Sequence, residues 1–408
     1  MASIVLINDG MDKEGLELFQ REGISYVNEY REGANLLETI GNFDAILVRS
    51  KTKVTREIIE AGCKGKLRMI GRGGVGVDNI DVNAANEYGL VVKFAPNGVT
   101  NSTAEQAIAL MFSVARKIPQ SHLALKSGIW RKKAFEGIEI EGKTFGVIGC
   151  GRIGQAAASK ARSLGMNILG YDANQASVEE KFPDSMIEYS SIENVLQKSD
   201  VVSLHVGGKN VIIGKKELEI MKAGAILINA SRGNNVDENV LYDALSSGKL
   251  YGAGLDTYVN EPKKEGQEIT DPMKKLASLE NVVLTSHLGA STKEGQRKTS
   301  IELARVTADY LLRGDYSNSV NTIKPSEENK KGYLICVYHS DVPGMFGQMT
   351  GVLGKNNINI RDVKSEQVLG DGKVITNYVV HQPVDDVVLG QIRAISGVNR
   401  VLFTNPEK

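Results

Sequence analysis

Lys143-Thr144-Phe145-Gly146-Val147-Ile148-Gly149-Cys150-Gly151-Arg152-Ile153-Gly154 decides the fold of this chain. An apolar run, 145–148, enters a tight glycine turn, and an Ala-rich helical segment, 155–164, follows. A second apolar run, 167–171, ends in Asp172, 18 positions beyond Gly154. Strand, glycine turn, helix and a second strand ending in an acid make the dinucleotide-binding βαβ unit. Gly149 allows the tight turn, Gly151 lets the backbone approach a pyrophosphate, and Gly154 lets helix and strand pack closely. The helix N-terminus offers N–H groups and a positive dipole end to the phosphates. Asp172 bonds the ribose hydroxyls and repels a 2′-phosphate, which selects NAD over NADP.

The bulk properties narrow the surroundings of this unit. With 408 residues the chain is long enough for two or three domains. Lys+Arg and Asp+Glu balance at 49 each, so there is no electrostatic footprint for nucleic acid or an acidic membrane. The apolar runs are strand-sized, and the N-terminus, Met1-Ala2-Ser3-Ile4-Val5-Leu6-Ile7, enters a strand pattern without a basic leader. Cys63, Cys150 and Cys336 lie far apart, form no metal-ligand pair, and fit the reducing cytoplasm. Cys150 reads as a small residue within the glycine turn.

Upstream, residues 1–93 alternate strand and helix signals, which predicts a parallel sheet covered on both faces. A second glycine cluster, Gly71-Arg72-Gly73-Gly74-Val75-Gly76-Val77-Asp78, follows a strand at the carboxyl edge of that sheet, where exposed N–H groups hold a carboxylate. A long helix over 102–116 has Glu105 three residues after Ser102, a capping-box spacing. Its apolar residues cover much of its circumference, so it is either internal or at a subunit interface. A helix over 120–126 leads to Trp130 and the run Arg131-Lys132-Lys133, a solvated turn or part of a site mouth.

Downstream, further strands are expected at 201–206, 225–229, 252–256 and 282–286, followed by a long helix over 293–313. If that helix returns to the first domain, the chain divides into a substrate-binding domain (1–96 with 288–318) and an NAD-binding domain (97–287) that meet at a hinge. A polar linker, 319–331, leads to a module over 332–408 with the order βαββαβ, a ferredoxin-like split βαβ suited to pairing with its own copy. The fold class is thus α/β: two Rossmann-like parallel-sheet domains separated by a cleft, plus a small C-terminal module.

Three polar groups lie just after buried strands of the NAD-binding domain: Asn229-Ala230-Ser231-Arg232-Gly233, Tyr258-Val259-Asn260-Glu261-Pro262 and Ser286-His287-Leu288-Gly289-Ala290. Ligands bind at this edge of open α/β sheets. Arg232 can fork onto a carboxylate and polarise the adjacent carbonyl. His287 can exchange the carbinol proton, and Glu261 can raise the pKa of the imidazole. NAD accepts the hydride and no metal is needed.

On these motifs the chain resembles the D-isomer-specific 2-hydroxyacid dehydrogenases over nearly its whole length. The resemblance makes Arg232, Glu261 and His287 the catalytic residues. It places the cofactor pyrophosphate near Arg152 and Ile153, the adenine ribose on Asp172, and the nicotinamide carboxamide on Asp256. His205, Ala230, Ser231, Gly289 and Ala290 complete the cofactor contacts with Gly149, Gly151, Gly154, Arg232 and His287. Within the family it most resembles members that oxidise 3-phospho-D-glycerate to 3-phosphohydroxypyruvate, the entry to L-serine synthesis. Arg49, Lys51 and Arg72 match the phosphate-contacting segments, although Lys51 also reads as a solvated turn. Val75 and Gly76 match positions whose N–H groups hold the substrate carboxylate, and Asn101 matches a nearby polar position.

The C-terminal module resembles an ACT domain. His339 and Asn359 match two of the three residues that bind serine in serine-inhibited members, and Asp341 stands where an Asn is expected. The module is then either a serine sensor, in a homodimer or homotetramer, or an assembly element alone. The loop His205-Val206-Gly207-Gly208-Lys209 departs from the longer, Pro-containing loop usual in the family. Two other readings remain open: a hydroxypyruvate or glyoxylate reductase of the same family, and an NADH-sensing corepressor-like protein.

Overall fold

The computed structural model describes residues 3–208, 210–262, 265–313, 315, 318–321, 333–368 and 373–404. The chain forms two compact units: residues 1–98 with 296–408, and residues 99–295. The second division falls within the first turn of helix Lys293–Arg313.

In the first unit, strands β1 (Ile4–Ile7), β2 (Ser25–Asn28), β3 (Ala45–Val48), β4 (Met69–Arg72) and β5 (Val91–Phe94) form one sheet, ordered β2-β1-β3-β4-β5. All neighbours run parallel. The central strands are apolar on both faces because helices cover both faces. Val5, Ile7, Leu47, Met69 and Val91 pack into one layer, and Leu6, Ile46, Val48, Ile70 and Val92 into the other. After the long helix, Val320 donates to Val92 O (2.9 Å), while Asn321 Oδ1 accepts from Val92 N (2.8 Å). The first residues of the expected linker are therefore pinned along β5, and residues 322–331 lie outside those described.

The same unit holds the C-terminal module. To number its strands in chain order, those of the second unit come first: β6 (Thr144–Ile148), β7 (Asn167–Tyr171), β8 (Glu188–Tyr189), β9 (Val201–Leu204), β10 (Ile226–Asn229), β11 (Gly252–Leu255) and β12 (Val282–Leu284). The module then comprises β13 (Tyr333–Ser340), helix Met345–Lys355, β14 (Ile360–Val368), β15 (Lys373–Val380), helix Asp386–Arg393 and β16 (Val398–Thr404). Its antiparallel order, β14-β15-β13-β16, is that of the split βαβ fold. Side chains alternate along β13. Tyr333, Ile335 and Val337 pack on the two helices, whereas Leu334 joins the core of the first parallel sheet. Arg400, on β16, donates to Leu67 O and Tyr88 O (2.7 Å each), tying the module to the chain just ahead of β4 and β5.

In the second unit the seven strands are ordered β12-β11-β10-β9-β6-β7-β8, all parallel. The order reverses between β6 and β9, which makes a topological switch point at the end of the strand that leads into the glycine turn. Helix Thr100–Ala115 packs against helix Arg152–Ser163 and strands β10 to β12. Its buried face (Ala104, Ala107, Leu110, Met111, Val114) is therefore internal to this unit. The capping-box reading of Ser102 and Glu105 is corrected. The helix starts at Thr100 with no side-chain cap, so Ser102 is inside it and pairs with Thr292 Oγ1 (2.6 Å), while Glu105 meets Lys160 (3.3 Å).

Candidate active site

The glycine turn has the shape a dinucleotide requires. Gly149 takes φ +91°, and a Cβ there would lie 2.7 Å from the His205 carbonyl. A Cβ on Gly154 would lie 2.1 Å from Gly149 O, so helix and turn touch directly. At Gly151 an added Cβ meets nothing within 4 Å. The turn is closed on the protein side and open at the residue beside which a pyrophosphate is expected, and this cradle fits NAD. Asp172, at the end of β7, accepts from Cys150 N (2.8 Å) and Asn174 N (2.9 Å), which fixes its carboxylate beside the turn. Arg152 is exposed and Ile153 half-buried at the start of the helix. Cys150 is fully buried, and burial and Asp172 push its thiol to about 12, leaving it an inert packing residue. His205 follows β9. Its Nε2 meets Ser203 Oγ (2.9 Å), its buried Nδ1 has no hydrogen-bond partner among the described residues, and burial lowers its pKa to about 4. It is a neutral ring beside Gly149, and Lys209 of its loop lies outside the described residues.

The second site element is an acid–base pair. His287 Nδ1 lies 2.9 and 3.0 Å from the two oxygens of Glu261. Its Nε2 has no partner among the described residues. The bond from Glu261 lifts the ring above its ordinary pKa, with the charges of Glu261 and Asp256 adding and burial and Arg232 opposing. Burial pushes the Glu261 carboxyl up, but the His287 bond and charge, the Tyr258 N–H and Arg232 outweigh it and hold the group down. Arg232, half-buried after β10, is therefore close enough to act on both groups. Its Nη1 donates to Ser231 O (2.8 Å), and its own carbonyl accepts from Asn229 Nδ2 (2.9 Å). Ala230 and Ser231, which precede it, are buried.

The bonds that hold this pair were only partly visible in the sequence. Asp256 is fully buried at the end of β11. Its carboxylate accepts from Thr285 Oγ1 (2.6 Å), Leu288 N (2.8 Å) and Gly289 N (2.8 Å), so it braces the loop that carries His287 and Ala290. Tyr258 OH donates to Leu255 O and Thr285 O, joining the Glu261 loop to the strand before His287. Glu238, buried at the start of a helix, accepts from Val259 N (2.8 Å) in the same loop. Apart from the short Tyr258–Leu255 bond, these cross 21 to 33 residues of chain, and no local motif announces them.

The remaining candidates lie elsewhere. Arg49 and Lys51 follow β3, and Arg72 ends β4, all in the first unit. Arg49 is half-buried; burial lowers its pKa and Asp9 opposes this. The Lys51 ammonium sits 3.3 Å over the Tyr30 ring. Arg72 Nη1 donates to Gly73 O, and the N–H groups of Val75 and Gly76 have no partner among the described residues. Asn101 is exposed in the first turn of helix Thr100–Ala115, in the second unit. In the C-terminal module His339 is 2% exposed, with Nδ1 on Ser340 O (2.9 Å) and Nε2 on Thr376 Oγ1 (2.8 Å). Asp341 and Asn359 are exposed. Among the described residues no cluster of metal-ligating side chains occurs, and no helix is long and apolar enough to cross a membrane.

Residues 108–289 match the NAD-binding domain of the D-isomer-specific 2-hydroxyacid dehydrogenases. The chain is 32% identical to D-3-phosphoglycerate dehydrogenase of Escherichia coli strain K12 over 404 residues, covering 97% of this chain and 96% of that one. It is 42% identical to D-3-phosphoglycerate dehydrogenase of Archaeoglobus fulgidus over 324 residues, but spans only 58% of that protein's length. It is also 42% identical to hydroxypyruvate reductase of Thermotoga maritima over 303 residues, 73% of this chain and 95% of that one. Among solved structures, a glyoxylate reductase from Paecilomyes thermophila superposes with a TM-score of 0.67 at 30% identity, over 78% of this chain and 98% of that one. The chain belongs to the D-isomer-specific 2-hydroxyacid dehydrogenase family.

Proposed function

We propose that the protein oxidises 3-phospho-D-glycerate to 3-phosphohydroxypyruvate with NAD, the first step of L-serine biosynthesis. The observation that carries this reading is the bonded Glu261–His287 pair beside Arg232, at the carboxyl edge of a sheet whose glycine turn fits NAD. Bound NAD supplies the hydride acceptor. Arg232 holds the substrate carboxylate and polarises the adjacent C–O bond. His287 Nε2 takes the carbinol proton as the hydride leaves, and returns one in the reverse direction. Glu261 fixes the ring through Nδ1 and stabilises the imidazolium that forms. Arg49, Lys51 and Arg72 hold the phosphate, the N–H groups of Val75 and Gly76 and the side chain of Asn101 contact the carboxylate end, and Gly149, Gly151, Arg152, Ile153, Gly154, Asp172, His205, Ala230, Ser231, Asp256, Gly289 and Ala290 line the cofactor.

Residues 1–96 with 288–318 serve substrate binding, 97–287 cofactor binding, and 332–408, after the 319–331 linker, an ACT-type regulatory role in the cytoplasm. Serine binding at His339, Asp341 and Asn359 requires the His339 ring to leave Thr376. Exposed apolar residues Ile118, Leu123, Leu125, Ile129 and Trp130 support a homodimer through this surface, extended to a tetramer by the C-terminal module. The test is NADH formation with D-3-phosphoglycerate at alkaline pH, with His287→Ala as control and with serine added. The likeness to a hydroxypyruvate reductase over 95% of that protein favours a second reading. Reduction of hydroxypyruvate without turnover of the phosphorylated substrate would select it and overturn the first.

A further inference from the structure

The turn between β3 and Val54 is fastened from outside on nearly every side. Asp9, just past the end of β1, accepts from Arg49 N (2.6 Å), Thr52 N (3.0 Å) and Thr52 Oγ1. Asn79 donates its amide hydrogens to Arg49 O (2.7 Å) and Thr52 O (2.6 Å). Asn8, 1% exposed, donates to Thr52 Oγ1 (2.8 Å) and so completes the hydroxyl's bonding. Both backbone groups of Arg49 and both of Thr52 are thus bound by side chains from other loops. The two N–H groups at the tip, those of Ser50 and Lys51, have no partner among the described residues. Their side chains are exposed, and Lys51 rests on Tyr30.

We infer that Asp9 and Asn79 are positioning residues that present Arg49, Lys51 and the two tip N–H groups to the substrate phosphate. This rests on the phosphate role proposed for Arg49 and Lys51. The chemistry requires such a clamp. A carboxylate near a phosphate-binding turn repels the dianion, and three donors held against Asp9 offset part of that charge while fixing the turn. A four-residue turn without internal bonds would otherwise lose its conformation, and with it the fixed geometry on which anion recognition by backbone N–H groups depends. Asn79 closes the opposite side by taking up the two carbonyls, the groups that would repel an anion.

Asp9→Asn and Asn79→Ala, made in the full chain, test this. Each is assayed for 3-phosphoglycerate oxidation and for reduction of unphosphorylated hydroxypyruvate, with Arg49→Ala beside them. The expected result is a KM for 3-phosphoglycerate raised about tenfold in both variants, with kcat within threefold and the KM for hydroxypyruvate within threefold. Asp9→Asn keeps one acceptor and the shape of the side chain, so it remains informative if Asn79→Ala proves unstable. Equal losses toward both substrates would overturn the inference, because a merely structural role does not distinguish them. So would an unchanged KM in both variants while Arg49→Ala raises it. An unchanged KM in Arg49→Ala would overturn the phosphate reading itself, and the inference with it.

Discussion

At the carboxyl edge of the first parallel sheet, beside the bonded Asp9 and Asn79, stand cations and N–H groups without a partner among the described residues: Arg49 and Lys51 after β3, and Val75 and Gly76 after β4. At the same edge of the second sheet they are an acid hydrogen-bonded to an imidazole, and a glycine turn that opens directly into a helix. Both sheets are parallel with central strands buried on both faces, so the difference lies in the segment after each strand. After β4 no helix begins until Val82, and the turn has only its N–H groups to offer an anion. After β6 the helix starts at Arg152, and its dipole adds to the N–H groups, as a pyrophosphate requires. The first edge has groups suited to an anion but, among the described residues, no acid bonded to an imidazole; the second has the bonded Glu261–His287 pair and the glycine turn.

Substitutions can break this contrast, and the largest effect is expected at the proposed proton carrier. His287→Ala should lower turnover about 10³-fold, about 4 kcal/mol in the barrier, with NADH affinity, measured by fluorescence titration, within threefold. A comparable turnover loss from Arg72→Ala, without a rise in KM, would erase the distinction between the edges. Next comes Gly154→Ala. The added carbon would stand 2.1 Å from a backbone oxygen that cannot rotate away, and a loss of about 3 kcal/mol in stability is expected in thermal or denaturant unfolding.

The Glu261 bond should be worth about 2 kcal/mol to the charged imidazole. Because it raises the His287 pKa, NADH formation should climb with pH through a midpoint above about 6.5, where the ring becomes neutral and able to take a proton. Glu261→Gln removes the main cause of the rise, so that midpoint should move to lower pH while the plateau rate falls. A profile that does not move would show that the two groups are not coupled. The smallest effect on the fold is expected at Gly151→Ala, where a methyl group meets open space. Stability should change by less than about 0.5 kcal/mol, while NADH binding weakens about tenfold because the methyl occupies the pyrophosphate's approach.

The sheets, and the polar groups proposed to act in catalysis, were legible for one physical reason. A parallel strand covered on both faces is an unbroken apolar run, and the residue that ends it lies where ligands bind, so Arg232, Glu261 and His287 could be placed by counting along the chain. Features fixed by distant partners could not be read this way. Ser102 and Glu105 have the spacing of a capping box, but the start of a helix is set by backbone angles two residues earlier. Asp9 sits 40 residues from Arg49, and Asp256 32 residues from Leu288, and each bond is made only when strands far apart in sequence come side by side. The wide apolar stripe of helix Thr100–Ala115 was ambiguous between an internal and an intersubunit face, because a sequence shows that a face is covered but not by which partner.

His287 adopts a backbone φ of +56°. The left-handed region costs a side-chain-bearing residue about 1 kcal/mol, and glycine or asparagine tolerates it better. Heat resistance and turnover therefore pull this position in opposite directions. A library sorted only for survival of the fold will drift toward glycine or asparagine at 287, and each such winner will have discarded the imidazole proposed to carry the proton. Any search for a hardier version of this protein must score turnover alongside survival from its first round.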